Sequence, residues 1–400
     1  MCAFPRPNTF PAGSNDPAAV QPRAVQPEAE MDFSRPAFLS KRSKNAKGTL
    51  IGGAALAGAA ALGTAALALA LFRGIRRRRK EGLRGKIVLI TGSSRGLGLA
   101  MAQEFGRRGA RIVLTARDQD ELERARVLLL DQQAVSDTRD ILVVPADLRK
   151  PEEAEYLIHR VTETWGQVDV LVNNAGIITV GPFENLSVQD FHDVMETNFF
   201  SGVHCALSVA PQMLRRGAGT IVNITSIGGK IAVPHLLPYT ASKFAAVGFS
   251  EGLHVELRSK GVNVLTVVPG LMRTGSHLNA FFSGDAEQEY RWFSRGASMP
   301  GASTSARSAA RRIVNAVLAG ETEIAITPQA VLASRLSNVS PELTAQAMGI
   351  MNRLLPSATE ELFQPVRGRE VRGKEPESAA RFGWSAARRY NEIDGAASAG

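Results

Sequence analysis

Four polar residues in the middle of the chain have the types and spacing needed for proton transfer. Tyr239 and Lys243 are four positions apart, so on a helix both side chains lie on one face. A free tyrosine titrates near pH ~10, and we expect the neighbouring ammonium to favour the phenolate and lower the pKa of Tyr239. Ser226, thirteen residues before Tyr239, can polarise a substrate oxygen. Asn198, on a preceding helix, can hold a relay water or a backbone group near Lys243.

A glycine-rich turn between a strand and a helix predicts a site for a dinucleotide. The apolar run that starts at Lys86 ends in the sequence Thr-Gly-Ser-Ser-Arg-Gly-Leu-Gly, residues 91–98. Gly92 permits a tight turn, Gly96 lets a pyrophosphate approach the backbone, and Gly98 lets the next helix pack closely on the sheet. The free N–H groups at the start of that helix then face the phosphates. A glycine triplet alone is weak, but this context is the one that the motif requires.

The end of the second predicted strand indicates which nicotinamide cofactor binds. An NAD site usually has an acidic side chain there, hydrogen-bonded to the ribose 2′-hydroxyl, whereas this chain has Arg117. An arginine suits a 2′-phosphate, and Arg95 in the glycine-rich turn offers a second cation. We therefore predict NADP(H), although Asp118 directly follows Arg117 and leaves NAD open.

Residues 86–326 alternate short apolar runs with helical patterns. This alternation predicts parallel strands that are covered by helices on both faces, which is an α/β fold with a Rossmann-type doubly wound sheet. The ligand crevice of such a sheet lies at its topological switch point. Strands are predicted at 86–91, 111–115, 141–144, 168–172, 220–225, 262–268 and 323–327, and helices include 97–108, 118–130, 151–165 and 306–318.

With these motifs in order over residues 84–275, the chain resembles the short-chain dehydrogenase/reductase family, in its compact NADP-type form. The resemblance implies a catalytic set of Asn198, Ser226, Tyr239 and Lys243, and no metal. It also implies that the carboxylate of Asp147 meets the adenine, and that the Asn-Asn-Ala-Gly segment steadies the sheet and touches the cofactor. The expected cofactor-binding residues are Gly92, Ser94, Arg95, Gly96, Leu97, Gly98, Arg117, Asp147, Leu148, Asn174, Ala175, Gly176, Tyr239, Lys243, Pro269, Gly270 and Thr274.

The expected activity is interconversion of a carbonyl and a secondary alcohol by hydride transfer with NADP(H). A cluster of aromatic residues after Thr274 suggests a lipophilic substrate, although these side chains are as easily explained as packing of the lid itself. A non-catalytic NADP(H)-binding redox sensor or membrane scaffold is the alternative, and a homodimer or homotetramer is expected. An epimerase or dehydratase of the extended subfamily is disfavoured by the glycine spacing. The aromatic cluster comprises Phe281, Phe282, Tyr290, Trp292 and Phe293.

The net charge of +9 comes from one short part of the chain. Residues 41–86 contain twelve Lys and Arg against one acid, so the remainder is slightly acidic, unlike a nucleic-acid-binding protein with a basic folded face. Inside this basic stretch, residues 49–72 form an uncharged run of 24 residues, long enough for a transmembrane helix. The denser Arg cluster follows the run and predicts that the catalytic domain faces the cytoplasm. A buried or low-complexity Ala-rich segment is the alternative to a membrane span, and a cleavable signal peptide is disfavoured because the run is long and starts far into the chain.

The chain is accordingly divided into six parts. The predicted organisation is a disordered Pro-rich tail (1–48), a transmembrane helix (49–72), a basic linker (73–85), a single catalytic domain (86–330), a C-terminal helical extension (331–365) and a flexible tail (366–400). Two cysteines exclude a disulfide scaffold and suit a reducing compartment.

Overall fold

The computed structural model describes residues 82–298, 303–360, 364–371 and 385–393, all within one compact unit that spans residues 66–400. The predicted tail (1–48), the predicted membrane span (49–72) and the linker up to residue 81 lie outside these residues. Within the described ranges, every helix is too short or too polar to cross a bilayer.

Seven strands of the described chain form one parallel sheet, and all seven are strands that the sequence predicts. Their order across the sheet is β3-β2-β1-β4-β6-β7-β11. Strands β1 to β3 are added toward one edge and the later strands toward the other, so the topological switch point lies between β1 and β4. Buried Val, Ile and Leu residues dominate β1, β4 and β7, as expected of strands covered on both faces. The strands are β1 (Ile87–Thr91), β2 (Arg111–Thr115), β3 (Ile141–Val143), β4 (Val170–Asn173), β6 (Gly219–Ile224), β7 (Val262–Val268) and β11 (Glu323–Ala325).

Helices cover both faces of this sheet and enclose two apolar clusters. One cluster lies under α1, α2 and α8, and the other under α3, α5 and α6. The helices are α1 (Gly96–Gly106), α2 (Gln119–Asp131), α3 (Pro151–Trp165), α4 (Val188–Met195), α5 (Ser201–Arg216), α6 (Leu237–Leu257), α7 (Ala286–Ser298), α8 (Ala306–Ala319), α9 (Pro328–Val339), α10 (Pro341–Asn352) and α11 (Gly368–Val371). The Rossmann-type fold expected from the sequence is therefore confirmed.

Two small sheets lie at the carboxyl ends of the main strands. One joins β8 (Met272–Arg273) to β10 (Thr304–Ser305), and the other joins β5 (Thr179–Val180), β9 (Phe281–Phe282) and β12 (Val366–Arg367). Strand β12 belongs to the segment that the sequence analysis treats as a flexible tail. The structure differs there: Val366 and Arg367 pair with β9, and residues 385–393 pack beside α1, with Ala387 and Tyr390 buried.

Candidate active site

Ser226, Tyr239 and Lys243 meet at the carboxyl end of β6. Ser226 lies two residues after the end of this strand. Tyr239 and Lys243 lie in the first two turns of α6. The Ser226 side chain hydrogen-bonds the Tyr239 hydroxyl. The Lys243 ammonium is buried and donates to the backbone oxygen of Ile224 at 3.0 Å, and it lies 5.6 Å from the centre of the Tyr239 ring. The structure thus brings together three of the four residues that the sequence assigns to proton transfer.

The ionisation of this pair differs from the sequence-based expectation. Burial raises the pKa of Tyr239, and the hydrogen bond from Ser226 opposes this only in part. Burial also lowers the pKa of Lys243 to about 8. The expectation of a lowered Tyr239 pKa was wrong, because burial removes hydration from the phenol and this outweighs the opposing hydrogen bond from Ser226. Near neutral pH, Tyr239 is a protonated donor next to a charged lysine.

Asn198 occupies a widened helical turn beside the site, where its amide contacts Ile177 and Ser242. Residues Glu196–Phe200 form a π-helical turn between α4 and α5, a feature often found at functional sites. The Asn198 side chain accepts a hydrogen bond from the N–H of Ile177 at 2.7 Å and donates to the oxygen of the same residue at 3.0 Å. It also donates to Ser242, beside Lys243, at 3.0 Å. Asn198 therefore ties the segment after β4 to helix α6.

The glycine-rich turn has the backbone shape that a phosphate site requires. Gly92 and Gly96 have φ of +60° and +59°, a conformation that side chains rarely adopt. A side chain at Gly98 would lie 2.7 Å from the amide nitrogen of Asn174, so only glycine lets α1 approach the sheet here. These glycines leave a cradle at the start of α1, and its shape fits the pyrophosphate of a dinucleotide.

The Asn-Asn-Ala-Gly segment fastens the end of β4 to the glycine-rich turn. The hydroxyl of Thr91 accepts hydrogen bonds from the N–H groups of Asn174 and Ala175 at 2.8 and 2.9 Å. The side-chain amide of Asn174 donates to the oxygens of Thr91 and Gly92 at 2.9 and 3.1 Å. Thr91 was not assigned a role from the sequence, although its place at the start of the glycine motif is a signal.

The four charged residues that the sequence analysis places near the adenosine differ in their surroundings. Arg117 is exposed at the edge of the crevice. Asp118 caps helix α2, accepting a hydrogen bond from the N–H of Glu121 at 2.9 Å. Arg95 pairs with Glu121 at 2.7 Å, and Arg149 holds Asp147 by hydrogen bonds of 2.5–3.1 Å. Arg149 lowers the pKa of Asp147, which therefore stays ionised.

One crevice of about 670 Å³ is lined by the glycine-rich turn and by Ser226, Tyr239 and Lys243. It contains every predicted cofactor residue, and it runs from the glycine-rich turn to Tyr239 and on to the loop after β7. Pro269, Gly270 and Thr274 lie in that loop, and Thr274 is buried. Asn198 lies beside the crevice rather than in its lining, so it acts by positioning its neighbours.

The predicted aromatic lid does not line this crevice. Phe282, Tyr290 and Phe293 are buried in a cluster of their own, and the indole N–H of Trp292 donates to Glu289 at 2.6 Å. Aromatic side chains here pack against each other, which is the alternative that the sequence left open. Met272, Ile178, Ala280 and Arg367 line the crevice at that end instead.

Sequence reasoning missed the residues that reach the crevice from far along the chain. Glu392, next to Asn391, lines the crevice beside the glycine-rich turn, and Asn279 donates to its carboxyl oxygen at 2.5 Å. No periodic apolar pattern marks this part of the tail. A single glutamate in a polar tail gives no signal in one sequence.

Comparison with known proteins agrees with this site. The sequence profile of the family described as short chain dehydrogenase matches residues 86–281. The chain is 38% identical to a dehydrogenase/reductase SDR family protein 7-like from Anopheles gambiae, over 51% of this chain and 64% of that protein. It is 34% identical to a protein of the same name from Drosophila melanogaster, over 66% of this chain and 79% of that protein.

Solved structures with the same fold contain either nicotinamide cofactor. The L-sorbose reductase of Gluconobacter frateurii, complexed with NADPH and L-sorbose, aligns with a TM-score of 0.54 at 26% identity, over 62% of this chain and 96% of that one. A short chain dehydrogenase/reductase from Burkholderia phymatum in complex with NAD aligns with a TM-score of 0.58 at 25% identity, over 71% and 99% of the two chains. The chain thus belongs to the short-chain dehydrogenase/reductase family and is an oxidoreductase.

Proposed function

We propose that this protein interconverts a carbonyl and a secondary alcohol with NADP(H) as its cofactor. The observation that supports this most directly is the contact of the Ser226 and Tyr239 hydroxyls beside the buried ammonium of Lys243, in the same crevice as the glycine-rich turn. Burial of an ammonium costs free energy, and a charge held beside the Tyr239 ring is the arrangement that proton transfer by the tyrosine needs.

Each residue has a definite task in carbonyl reduction. Ser226 donates a hydrogen bond to the substrate oxygen and fixes its position, and Tyr239 transfers its proton to that oxygen as the alcohol forms. The nicotinamide supplies the hydride to the carbonyl carbon. The charge of Lys243 stabilises the phenolate that remains on Tyr239, and alcohol oxidation reverses these steps. Purified full-length protein should consume NADPH with members of a panel of ketones, and failure with the whole panel would contradict the proposal.

The preference for NADP(H) follows from the surroundings of Arg117. Its guanidinium is exposed at the crevice edge, whereas Asp118 accepts a hydrogen bond from the N–H of Glu121 at the start of α2 through one of its carboxylate oxygens. A guanidinium binds a 2′-phosphate through charge-assisted hydrogen bonds. Arg95 is already paired with Glu121, so we assign the 2′-phosphate mainly to Arg117.

Replacing Arg117 by alanine should remove this preference. We expect Arg117→Ala to weaken NADPH binding about 10–100-fold and to leave NADH binding within about twofold, because a charge-assisted hydrogen bond contributes about 1.5–3 kcal/mol. The matched control is Arg126→Ala, which removes an arginine on α2 that lies outside the crevice. This variant should bind both cofactors like the wild type. Equal affinities of the wild type for NADPH and NADH would refute the assignment.

The far end of the crevice supports a substrate with an apolar part. Ile178 and Ala280 belong to the same apolar cluster as Tyr239, and together with Met272 they line the crevice and offer it a lipophilic surface. We therefore propose a lipophilic ketone or alcohol, with the carbonyl at Ser226 and Tyr239 and the apolar part on these residues.

We also propose that residues 49–72 span a membrane and that the catalytic domain faces the cytoplasm. The support is the uncharged run of 24 residues and the dense Arg cluster that follows it. In a bacterial host, a C-terminal reporter that is active only in the periplasm should stay inactive, while the protein sediments with membranes. Periplasmic reporter activity would invert the orientation, and a protein fully released by alkaline carbonate would exclude the span.

A further inference from the structure

The C-terminal strap, which we define as residues 385–393, lies across the entrance to the phosphate cradle. Ala387 and Tyr390 are buried, and Tyr390 belongs to the main apolar cluster under α1. A side chain at Gly275, near Thr274, would lie 2.7 Å from the side chain of Ala387. The strap is therefore packed between the glycine-rich turn and the loop after β7.

Hydrogen bonds from the strap use groups of the glycine-rich turn itself. The N–H of Gly96 donates to the oxygen of Tyr390 at 2.8 Å. The side-chain amide of Asn391 donates to the backbone oxygens of Ser94 and Glu121 at 2.9 and 3.1 Å. A helix-start N–H that faces a phosphate in a dinucleotide site is thus already paired with the strap.

The Glu392 carboxyl occupies the space that Gly96 leaves open. A side-chain carbon at Gly96 would lie 2.6 Å from Glu392 Oε1. The other carboxyl oxygen accepts from Asn279 at 2.5 Å and lies 3.6 Å from Arg95. This is an anionic group placed with a cation beside the start of a helix, which is the arrangement expected for a phosphate.

We propose that the C-terminal strap is an intramolecular competitor of the cofactor, with Glu392 in the place of the pyrophosphate. This rests on the proposed use of NADP(H) at this site. The strap and the dinucleotide cannot both occupy the cradle, so the strap undocks as a unit when the cofactor binds. Burial raises the pKa of Glu392 to about 7, which means that the docked carboxylate is poorly solvated and that its release is correspondingly easier.

Competition of this kind lowers the apparent affinity for the cofactor. Only the undocked fraction binds, and the apparent Kd equals the intrinsic Kd divided by that fraction. A variant that releases the strap should therefore bind NADPH more tightly, whereas loss of an ordinary cofactor contact would weaken binding.

Asn391→Asp tests this with a nearly isosteric change. The new carboxylate would face the oxygens of Ser94 and Glu121, and repulsion should undock the strap. We expect the Kd for NADPH, measured by fluorescence titration of the full chain, to fall about tenfold or more. The matched control is Arg388→Ala, at an exposed strap residue, which should bind like the wild type. Unchanged or weaker binding in Asn391→Asp, with an unaltered circular dichroism spectrum, would overturn the proposal.

Limited trypsin digestion gives a second readout that does not depend on activity. The bonds after Arg388 and Arg389 lie in the docked strap, and saturating NADPH should speed their cleavage several-fold. Cleavage after the exposed Lys260, in the short turn that follows α6, should not change. Unchanged or slower cleavage of the strap bonds in the presence of bound NADPH contradicts competition. No binding of NADPH by any variant would instead refute the proposed cofactor.

Discussion

Tyr239→Phe should lower kcat for carbonyl reduction by about 10²–10⁴-fold, because it removes the proton donor and keeps the ring. The Tyr239 hydroxyl contacts Ser226, and both side chains line the crevice, so we assign delivery of the proton to Tyr239 and polarisation of the substrate oxygen to Ser226. Burial raises the pKa of Tyr239, so the wild type holds this proton near neutral pH. The Kd for NADPH should change little, since the phenylalanine retains the packing of the ring.

The matched control is Tyr156→Phe, the same chemical change at an exposed position on α3. It should leave kcat unchanged. Steady-state kinetics with an accepted ketone, together with NADPH titration, check both variants. Turnover of Tyr239→Phe within about threefold of the wild type would mean that another group supplies the proton, and the assigned mechanism would fail.

Lys243→Met should also abolish turnover, with a loss of kcat/KM for NADPH of about 10³-fold or more. The ammonium is buried, and the described residues give it one hydrogen bond, to Ile224, which leaves N–H groups free for the ribose hydroxyls of the cofactor. Its charge also stabilises the Tyr239 phenolate formed during reduction. Both the binding and the proton-transfer contributions are lost together in this variant.

Stability separates this effect from misfolding. Methionine fills a similar volume without a buried charge, so Tm should stay equal or rise while activity disappears. Lys260→Met, at an exposed site, is the matched control for removal of a charge and should keep full activity. A large fall in Tm for Lys243→Met would attribute the loss of activity to the fold instead.

The pH dependence of the wild type follows from the same lysine. Burial lowers the pKa of Lys243 to about 8, so its ammonium is present below that pH and is lost as the pH rises through it. The kcat/KM for NADPH reports on groups of the free enzyme. It should therefore decline on the alkaline side of about pH 8 in the direction of carbonyl reduction.

The sequence was most informative where one local pattern determines one element. The apolar runs at Ile87–Thr91 and Val262–Val268 became buried strands, and the prediction of a helix at 151–165 matches Pro151–Trp165. The contact between Ser226 and Tyr239 was also predictable. The strand before Ser226 ends at the carboxyl edge of the sheet, and the helix that carries Tyr239 begins there. The ligand crevice of such a sheet lies at this edge.

Features that depend on distant parts of the chain were not predictable. The pKa of Tyr239 depends on burial by the surrounding loops, and spacing to Lys243 does not report it. The sequence leaves open whether the aromatic residues near Phe282 face a substrate or pack against each other. In the structure they contact Val180 and Leu236 and form a small core. Glu392 lies in a polar tail whose docking depends on a few hydrogen bonds and on the burial of Tyr390.

The central claim is that this protein moves a hydride between a nicotinamide and a carbonyl carbon, with Tyr239 as the proton donor. The most direct measurement is transfer of deuterium from NADPH that carries deuterium at both C4 positions to a ketone that the protein accepts. We predict that mass spectrometry finds one deuterium on the carbinol carbon of the alcohol for each cofactor oxidised, and a yield lower by about 10²-fold or more with Tyr239→Phe over the same time. Tight NADPH binding without deuterium transfer to any ketone of the panel would contradict the claim and favour a non-catalytic, nucleotide-sensing role.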